Sequence, residues 1–544
     1  MASSHLLLLP FLLLLLLLLS TSSSAKTTST TFNLSSIHSI CQSTPYPNSC
    51  VSSLKLSISA NLPHTILSVA LASIRSAISA ATPLSDLLSS AAADPKLIVE
   101  SQRGALKDCS DLHAITLSSL SLSTSLLAQP TKLADVRAHL AAALTNKATC
   151  LDGLAGARGP LKNTLVDSWS SAYELISNSL AILPGASKLP GRRLTGDEFP
   201  SWISRRDRRL LESSNDDDDD DDNDNGDEST QGLTLTVAKD GSGNFSTIGE
   251  AIAFAPSNYE ERTIIFVKAG VYDENVDVPS YKPNIVLLGE GRDVTVIRGK
   301  RSVGGGWTTF GSATLGVSGQ GFLARDLTIQ NTAGPAQGQA AALRVNADFT
   351  AVYRCTIDGY QDTLYVHSFR QFYRECDIYG TVDFITGNAA AVLQGCNLIA
   401  RTPIPGQSNV VTAQGRNDPN EDTGISIQNC SVIASEDLAS SGGSIKTYLG
   451  RPWGVYSRTV YIESYMDGLV DPAGWTEWVG DQGLDTLYYG EYMNSGPGSG
   501  TDDRVTWAGY HVMDYDEASS FTVSEFIYGD QWLDSTSFPY DEGI

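Results

Sequence analysis

Four segments of this chain repeat one pattern, and their spacing constrains the fold more than any other feature. Val352-Tyr-Arg-Cys355-Thr-Ile, Tyr373-Arg-Glu-Cys376-Asp-Ile, Leu393-Gln-Gly-Cys396-Asn-Leu-Ile and Ile427-Gln-Asn-Cys430-Ser-Val-Ile each set a cysteine among β-formers. The first three cysteines are 21 and 20 residues apart, and the fourth follows after 34. β-Rich units recurring near every 20 residues stack as the coils of a parallel β-helix. The longer spacing marks either a coil with an inserted loop or two coils. Adjacent coils lie about 4.8 Å apart, which puts equivalent cysteines within disulfide reach. The spacing therefore predicts the pairs Cys355–Cys376 and Cys396–Cys430.

The same register places chemistry. Asp362 and Asp383 each lie seven residues after a repeat cysteine, so they occupy equivalent positions on neighbouring coils. Two carboxylates so close do not both ionise freely, and one holds its proton at higher pH than an isolated Asp. Gln339 and Gln361, 22 residues apart, bring amide donors to the same face. Arg451, in Gly450-Arg451-Pro452-Trp453, offers a planar fork for the anion, and Trp453 a ring to stack on a sugar. Each feature also has a purely structural reading: an Asp bonding a turn, a Gln ladder, an Arg-Pro-Trp packing unit. Gly304-Gly305-Gly306 precedes no helix terminus and reads as a loop.

The first half is built differently. Residues 36–183 are rich in Ala, Leu and Ser, with helical stripes over His64–Ala80, Leu97–Leu117, Leu133–Leu144 and Trp169–Leu180. Several amphipathic helices with short connections predict an up-and-down bundle. His38, His64, His113 and His139 are scattered along it and read as packing or surface residues, not ligands. Ahead of it, Leu6–Leu19 is apolar and too short for a membrane span of about 20 residues. With Ser23-Ser24-Ala25 behind it, this predicts a secretory signal over residues 1–25. No later segment is expected to span a membrane. Secretion makes disulfides possible, and the eight cysteines divide four and four between the halves. Sequons at Asn33, Asn244 and Asn429 permit glycosylation. Between residues 185 and 230, Arg192-Arg193 and Arg205–Arg209 precede the acidic run Asp216–Asp222, a composition that stays extended as a solvated linker open to proteolysis.

Residues 41–50 (Cys-Gln-Ser-Thr-Pro-Tyr-Pro-Asn-Ser-Cys) and 143–153 (Ala-Leu-Thr-Asn-Lys-Ala-Thr-Cys-Leu-Asp-Gly) resemble the plant pectin methylesterase inhibitor family. That resemblance implies a four-helix bundle over 32–184, with disulfides Cys41–Cys50 and Cys109–Cys150. Residues 231–544 resemble plant pectin methylesterase through Gly270-Val-Tyr-Asp-Glu274, Gln339-Ala-Ala-Ala-Leu343, Gly359-Tyr-Gln-Asp-Thr-Leu-Tyr365, Asp383-Phe-Ile-Thr-Gly387, Leu449-Gly-Arg-Pro-Trp453, Gly474-Trp475-Thr-Glu-Trp478 and Leu487-Tyr-Tyr-Gly-Glu-Tyr492. This implies a right-handed parallel β-helix that hydrolyses galacturonate methyl esters in homogalacturonan without metal or cofactor. Asp383 is the implied nucleophile and Asp362 the proton donor and later base. Gln339 and Gln361 are the implied oxyanion donors, and Thr309, Gln339, Arg451 and Trp453 the implied substrate contacts. The quartet Arg208-Arg209-Leu210-Leu211 resembles the processing site of two-part plant pectinesterases, whose first half restrains activity or aids folding before cleavage. The expected product is a monomeric enzyme of the cell wall. The family usually has Phe where Thr386 stands, and Val where Ala341 stands.

A Ser-His-Asp esterase is a poor alternative: no Gly-x-Ser-x-Gly occurs, and residues 231–544 hold only His367 and His511. Cleavage of the pectin chain is a second alternative, because paired carboxylates also serve glycosidases. A non-catalytic wall-binding or inhibitor protein is a third. The formal charge of −24 argues against binding nucleic acid. Residues 231–544 alone carry −19, so attraction between net charges cannot hold a polymer that grows more anionic with each ester removed, and local contacts must.

Overall fold

The computed structural model describes residues 34–57, 66–94, 96–185, 233–442 and 445–544. The signal segment, Asn33 and the linker with its Arg208–Leu211 quartet lie outside the described residues.

The first half is helical: α1 (Leu34–Gln42), α2 (Pro47–Ser57), α3 (Ile66–Ala81), α4 (Leu84–Ala93), α5 (Ala105–Leu126), α6 (Leu133–Gly153) and α7 (Leu161–Ile182). The bundle is α3, α5, α6 and α7. The α3 stripe of Val69, Ala70, Ile74 and Ala77 is buried as its periodicity requires. Cys41–Cys50 ties α1 to α2, and Cys109–Cys150 ties α5 to α6. The stripe expected from Leu97 begins as a helix only at Ala105. Gly104, at φ 82°, turns the chain into α5, and Val99 pairs instead with Arg158. Against the expectation of no later span, residues 66–93 are long and apolar enough to cross a membrane. The stretch breaks at Pro83, and Ile74, Ala77, Leu84 and Leu88 are buried in the bundle, so it serves as core.

The second half is a parallel β-helix whose coils contribute to three sheets of eleven, eight and seven strands among the described residues. The repeat segments stack in register, Val352 beside Tyr373, Leu393, Ile427 and then Tyr461. Leu393 pairs directly with Ile427, so the 34-residue spacing is one coil with inserted loops. Before each cysteine the chain turns a corner through a left-handed residue: Arg354, Glu375, Gly395 and Asn429, all with φ between 51° and 64°. That turn swings the chain between sheets and aims the next side chain inward. Asn244 and Asn429 are both exposed. The short helix Ile248–Phe254 caps one end of the apolar interior. Near the C-terminus, Val523, Phe526, Trp532 and Leu533 cover the outer face of the eleven-stranded sheet.

The predicted pairs Cys355–Cys376 and Cys396–Cys430 are not formed; all four cysteines are free and buried. The coil spacing is as expected, but the sulfurs are engaged with backbone. The Cys376 amide donates to Cys396 Sγ (3.4 Å) and the Cys396 amide to Cys430 Sγ (3.3 Å). The Cys430 amide donates to Ser464 Oγ (3.1 Å), so a serine fills the next rung. The thiols of Cys376 and Cys430 donate in turn to corner carbonyls at 3.3 Å. A corner amide buried in an apolar core needs an acceptor, and a sulfur drawn aside into a cystine would give that contact up. Thiol titration of the denatured, unreduced chain is therefore expected to count four thiols; a count of none would mean that the pairs form.

The helical half rests on the seven-stranded sheet. Arg137 of α6 clamps Asp422, and its Nη2 donates to the Asn420 carbonyl (2.6 Å). Arg370 bridges Asp348 in its own half and Asp135 of α6 at 2.6 and 2.8 Å. Phe310, Ala313, Ala341 and Tyr365 join the apolar core of the bundle.

Candidate active site

The register that stacks the cysteines also stacks the carboxylates. Leu364 pairs with Ile385, two residues beyond Asp362 and Asp383, and the Asp362 amide donates to the Val382 carbonyl (3.2 Å). Both aspartates sit in left-handed backbone, at φ 58° and 51°, a conformation to which Asp is better suited than most residues. Both are buried, 8% and 3% exposed, although they line a cavity.

Arg451 distinguishes them. Its Nε donates to Asp383 Oδ1 at 2.8 Å and its Nη2 to Oδ2 at 2.6 Å, a two-pronged ion pair. The guanidinium lies 4.3 Å from the centre of the Trp478 ring, which fixes its plane. Burial raises the Asp383 carboxyl above its ordinary range and Arg451 pulls it back. Asp362 is pushed well above the carboxylate range, first by burial and then by the Asp383 charge, with only partial relief from Arg451. The site thus holds one anion and one carboxylic acid side by side.

Gln339 and Gln361 follow the same stacking, with the Ala340 amide donating to the Gln361 carbonyl (3.1 Å). Both line the cavity of about 480 Å³, together with Thr309, Phe310, Tyr365, Thr386, Trp453 and Trp478. Trp453 reaches it by lying over Gly415, where a Cβ would come within 2.6 Å of the indole. A second, adjoining cavity of about 400 Å³ continues past Arg451 along Gln407, Tyr448 and Glu477. The two form a cleft across several coils, a shape suited to an extended ligand.

One wall of the first cavity comes from the helical half: Gln102, Thr149, Asp152 and Gly153. Thr149 Oγ1 and His367 Nε2 are 2.8 Å apart, and Thr308 donates to Asp108 of α5. The Arg103 amide donates to the Gly306 carbonyl (2.7 Å), which gives the glycine loop a docking contact. His367 is buried neutral, its pKa driven well below the ordinary imidazole value by burial and then by Arg344.

Residues 234–530 match the family model "Pectinesterase", and residues 35–182 match "Plant invertase/pectin methylesterase inhibitor". An Arabidopsis thaliana protein described as "Probable pectinesterase/pectinesterase inhibitor 12" is 57% identical over 522 residues, covering 94% of each chain. The chain belongs to the pectinesterase family. "Pectinesterase 2" of Citrus sinensis is 48% identical, over 82% of this chain and 83% of its own. The solved structure "Pectin methylesterase from Carrot" is 54% identical with a TM-score of 0.57, covering 58% of this chain and 100% of its own. A fold like that of the second half therefore stands as a chain without a helical half.

All seven residues expected at the pectinesterase site, Thr309, Gln339, Gln361, Asp362, Asp383, Arg451 and Trp453, line this one cavity. The sequence reading missed Trp478, although the Gly474–Trp478 motif contains it, and missed the four residues of the helical half. Replacing Arg451 with Ala leaves Asp383 buried without its cation. The expected loss is about 3 kcal/mol of unfolding free energy, at the low end for removing one partner of a buried pair, measured by chemical denaturation. A loss below about 1 kcal/mol, the scale of a surface ion pair, would contradict the burial argument.

Proposed function

We propose that this pectinesterase removes methyl esters from galacturonate units by two-step acyl transfer through Asp383. The observation that carries this reading is the asymmetric pair: an Asp383 anion held by Arg451, beside a carboxylic acid on Asp362. The Asp383 carboxylate attacks the ester carbonyl carbon while the amides of Gln339 and Gln361 donate to the developing oxyanion. The C–OMe bond breaks, and the leaving oxygen takes the Asp362 proton as methanol. The Asp362 carboxylate then draws a proton from water, whose oxygen attacks the sugar acyl carbon of the mixed anhydride. Galacturonate leaves, and Asp383 and Asp362 return to anion and acid. Thr309 and Trp453 hold the sugar.

Before cleavage, Gln102, Thr149, Asp152 and Gly153 occupy the side from which a polymer would enter, so the helical half restrains the enzyme. On this reading, the Leu6–Leu19 segment directs secretion to the wall, and proteolysis at Arg208–Leu211 frees a monomeric enzyme.

In the 231–544 fragment, methanol is expected from methyl-esterified pectin with no change in chain length, and Asp383→Ala is expected to abolish it. New chain ends, or an unaffected variant, would overturn the mechanism. Gln361→Ala should lower kcat by about 10²–10³. The rate should fall at low pH as Asp383 protonates, and at high pH as Asp362 ionises, since the acid must carry its proton; a profile that rises on the alkaline side contradicts these roles.

Docking has its own pH dependence. Burial raises Asp108 from 3.8 to about 6, against the pull of Thr308, Arg344 and Lys107, and Asp111 adds to the rise. A group whose pKa is higher in the docked state takes up a proton on docking. The stabilisation is therefore full below the undocked pKa and is lost as pH rises through about 6. His367, held neutral by burial against Thr149, acts in the opposite direction. The Asp108 contribution is therefore read by substitution: linker-cut Asp108→Asn is expected to stay associated more than the parent at about pH 7.5, by sedimentation, and equal association would contradict it. Uncut chain as active as the fragment would refute restraint.

A further inference from the structure

The cleft wall is the outward row of the seven-stranded sheet, and its residues stack in register. Arg344 lies beside Tyr365, Tyr365 beside Thr386, and Thr386 beside Ala413. The row begins large: the Arg344 guanidinium lies 3.7 Å from the centre of the Phe310 ring, and Tyr365 is buried against the helical core. It becomes small on the coil that carries Asp383 and on the coil after it, where Thr386 and Ala413 stand. Next in register after Ala413 comes Arg451, whose guanidinium is committed to Asp383, and beyond it Trp453 over Gly415. The Thr386 hydroxyl donates to the Ala413 carbonyl at 3.0 Å, so it has no proton left to donate into the cavity it lines. Between Tyr365 and Trp453 the wall therefore has a recess of small side chains at the level of the nucleophile, bordered by the Arg451 guanidinium that Asp383 occupies.

What fills the recess follows from the direction of the reaction. On the acyl-transfer reading above, on which this inference rests, the ester carbonyl sits against Asp383 and the two glutamines, and the methoxy group faces Asp362. Asp362 belongs to the coil of Tyr365, one coil before Thr386. The ester's alkyl group thus points away from the recess, and a substituent on the sugar ring points toward it. The cation beside the recess, Arg451, is already paired with both oxygens of Asp383, and the Thr386 O–H is engaged, so the recess suits a small neutral acyl group better than a free carboxylate.

We propose that Thr386 is a specificity-determining residue, which lets the enzyme act on methyl-esterified galacturonate whose ring also bears an O-acetyl group. A large side chain at this position would fill the recess and leave the unacetylated ring as the better substrate.

The test measures kcat/KM for methanol release by the 231–544 fragment on two pectins of equal methyl-esterification, one O-acetylated and one chemically deacetylated. The parent is expected to treat them within about twofold. Thr386→Phe is expected to lower the acetylated-to-deacetylated ratio by about tenfold or more, the scale on which a pocket rejects a group it has no room for. Thr386→Val, which keeps the volume and loses the hydrogen bond, is expected to keep the parental ratio. Should Thr386→Phe fail to fold, Thr386→Leu is expected to shift the ratio in the same direction. The proposal is overturned if the parent itself rejects the acetylated polymer, or if the ratio is unchanged in the enlarged variants. A parent that releases no methanol from the deacetylated polymer would instead overturn the acyl-transfer reading.

Discussion

Two carboxyl groups buried one coil apart cannot both be charged, and Arg451 decides which of them is. Its fork spans both oxygens of Asp383 and is held in plane by Trp478. Asp362 has no such partner and feels the charge of its neighbour. The rest of the site follows from that division. On the proposed mechanism the anion serves as nucleophile, the acid gives the proton, and the stacked glutamines stand where negative charge would develop. None of this needs a flexible loop, because the carboxylates and glutamines belong to coils locked to their neighbours by parallel ladders. A β-helix converts a repeat of about 20 residues into a face where equivalent side chains stand one strand spacing apart.

The helical half exploits the same face. Its contacts mix apolar packing around Phe310 and Tyr365 with charged clamps at Arg137–Asp422 and Arg370–Asp135. Pairing buried arginines from each half with a carboxylate of the other fixes how the two halves sit together. The acidity of the second half gives it no general attraction to pectate. On the proposed function substrate is therefore held by the local groups of the cleft, and the helical half contributes one wall of that cleft.

The coil architecture and the pairs Asp362/Asp383 and Gln339/Gln361 were legible in the sequence because they depend on period, whereas Arg451 and Trp453 were read from one local segment and Thr309 only from the family resemblance. Equivalent positions repeat along the chain, and a β-helix brings them together. The cysteines mark where that reasoning ends. Spacing fixes the separation of backbones but not the partner of a sulfur, and here the corner amides claim the thiols. Ser464, 34 residues after Cys430 just as Cys430 follows Cys396, was the available sign that this position needs a small polar group rather than a cystine. The residues contributed by α6 and by the Gln102 segment were not legible, since contact between two halves leaves no local pattern. Trp478 ends the Gly474–Trp478 motif, yet its place over Arg451 depends on how two separate loops fold together. The late start of α5 reflects tertiary pairing of Val99 with Arg158 overriding an apolar stripe.

Unequal protonation of Asp362 and Asp383 can be read by infrared difference spectroscopy of the 231–544 fragment near neutral pH. Protonated carboxyl groups absorb separately from carboxylates, and comparison of variants assigns each band. The expected spectrum has a protonated-carboxyl band that disappears in Asp362→Asn and persists in Asp383→Asn, with a carboxylate band lost only in Asp383→Asn. A spectrum in which Asp362→Asn removes a carboxylate band instead would contradict it.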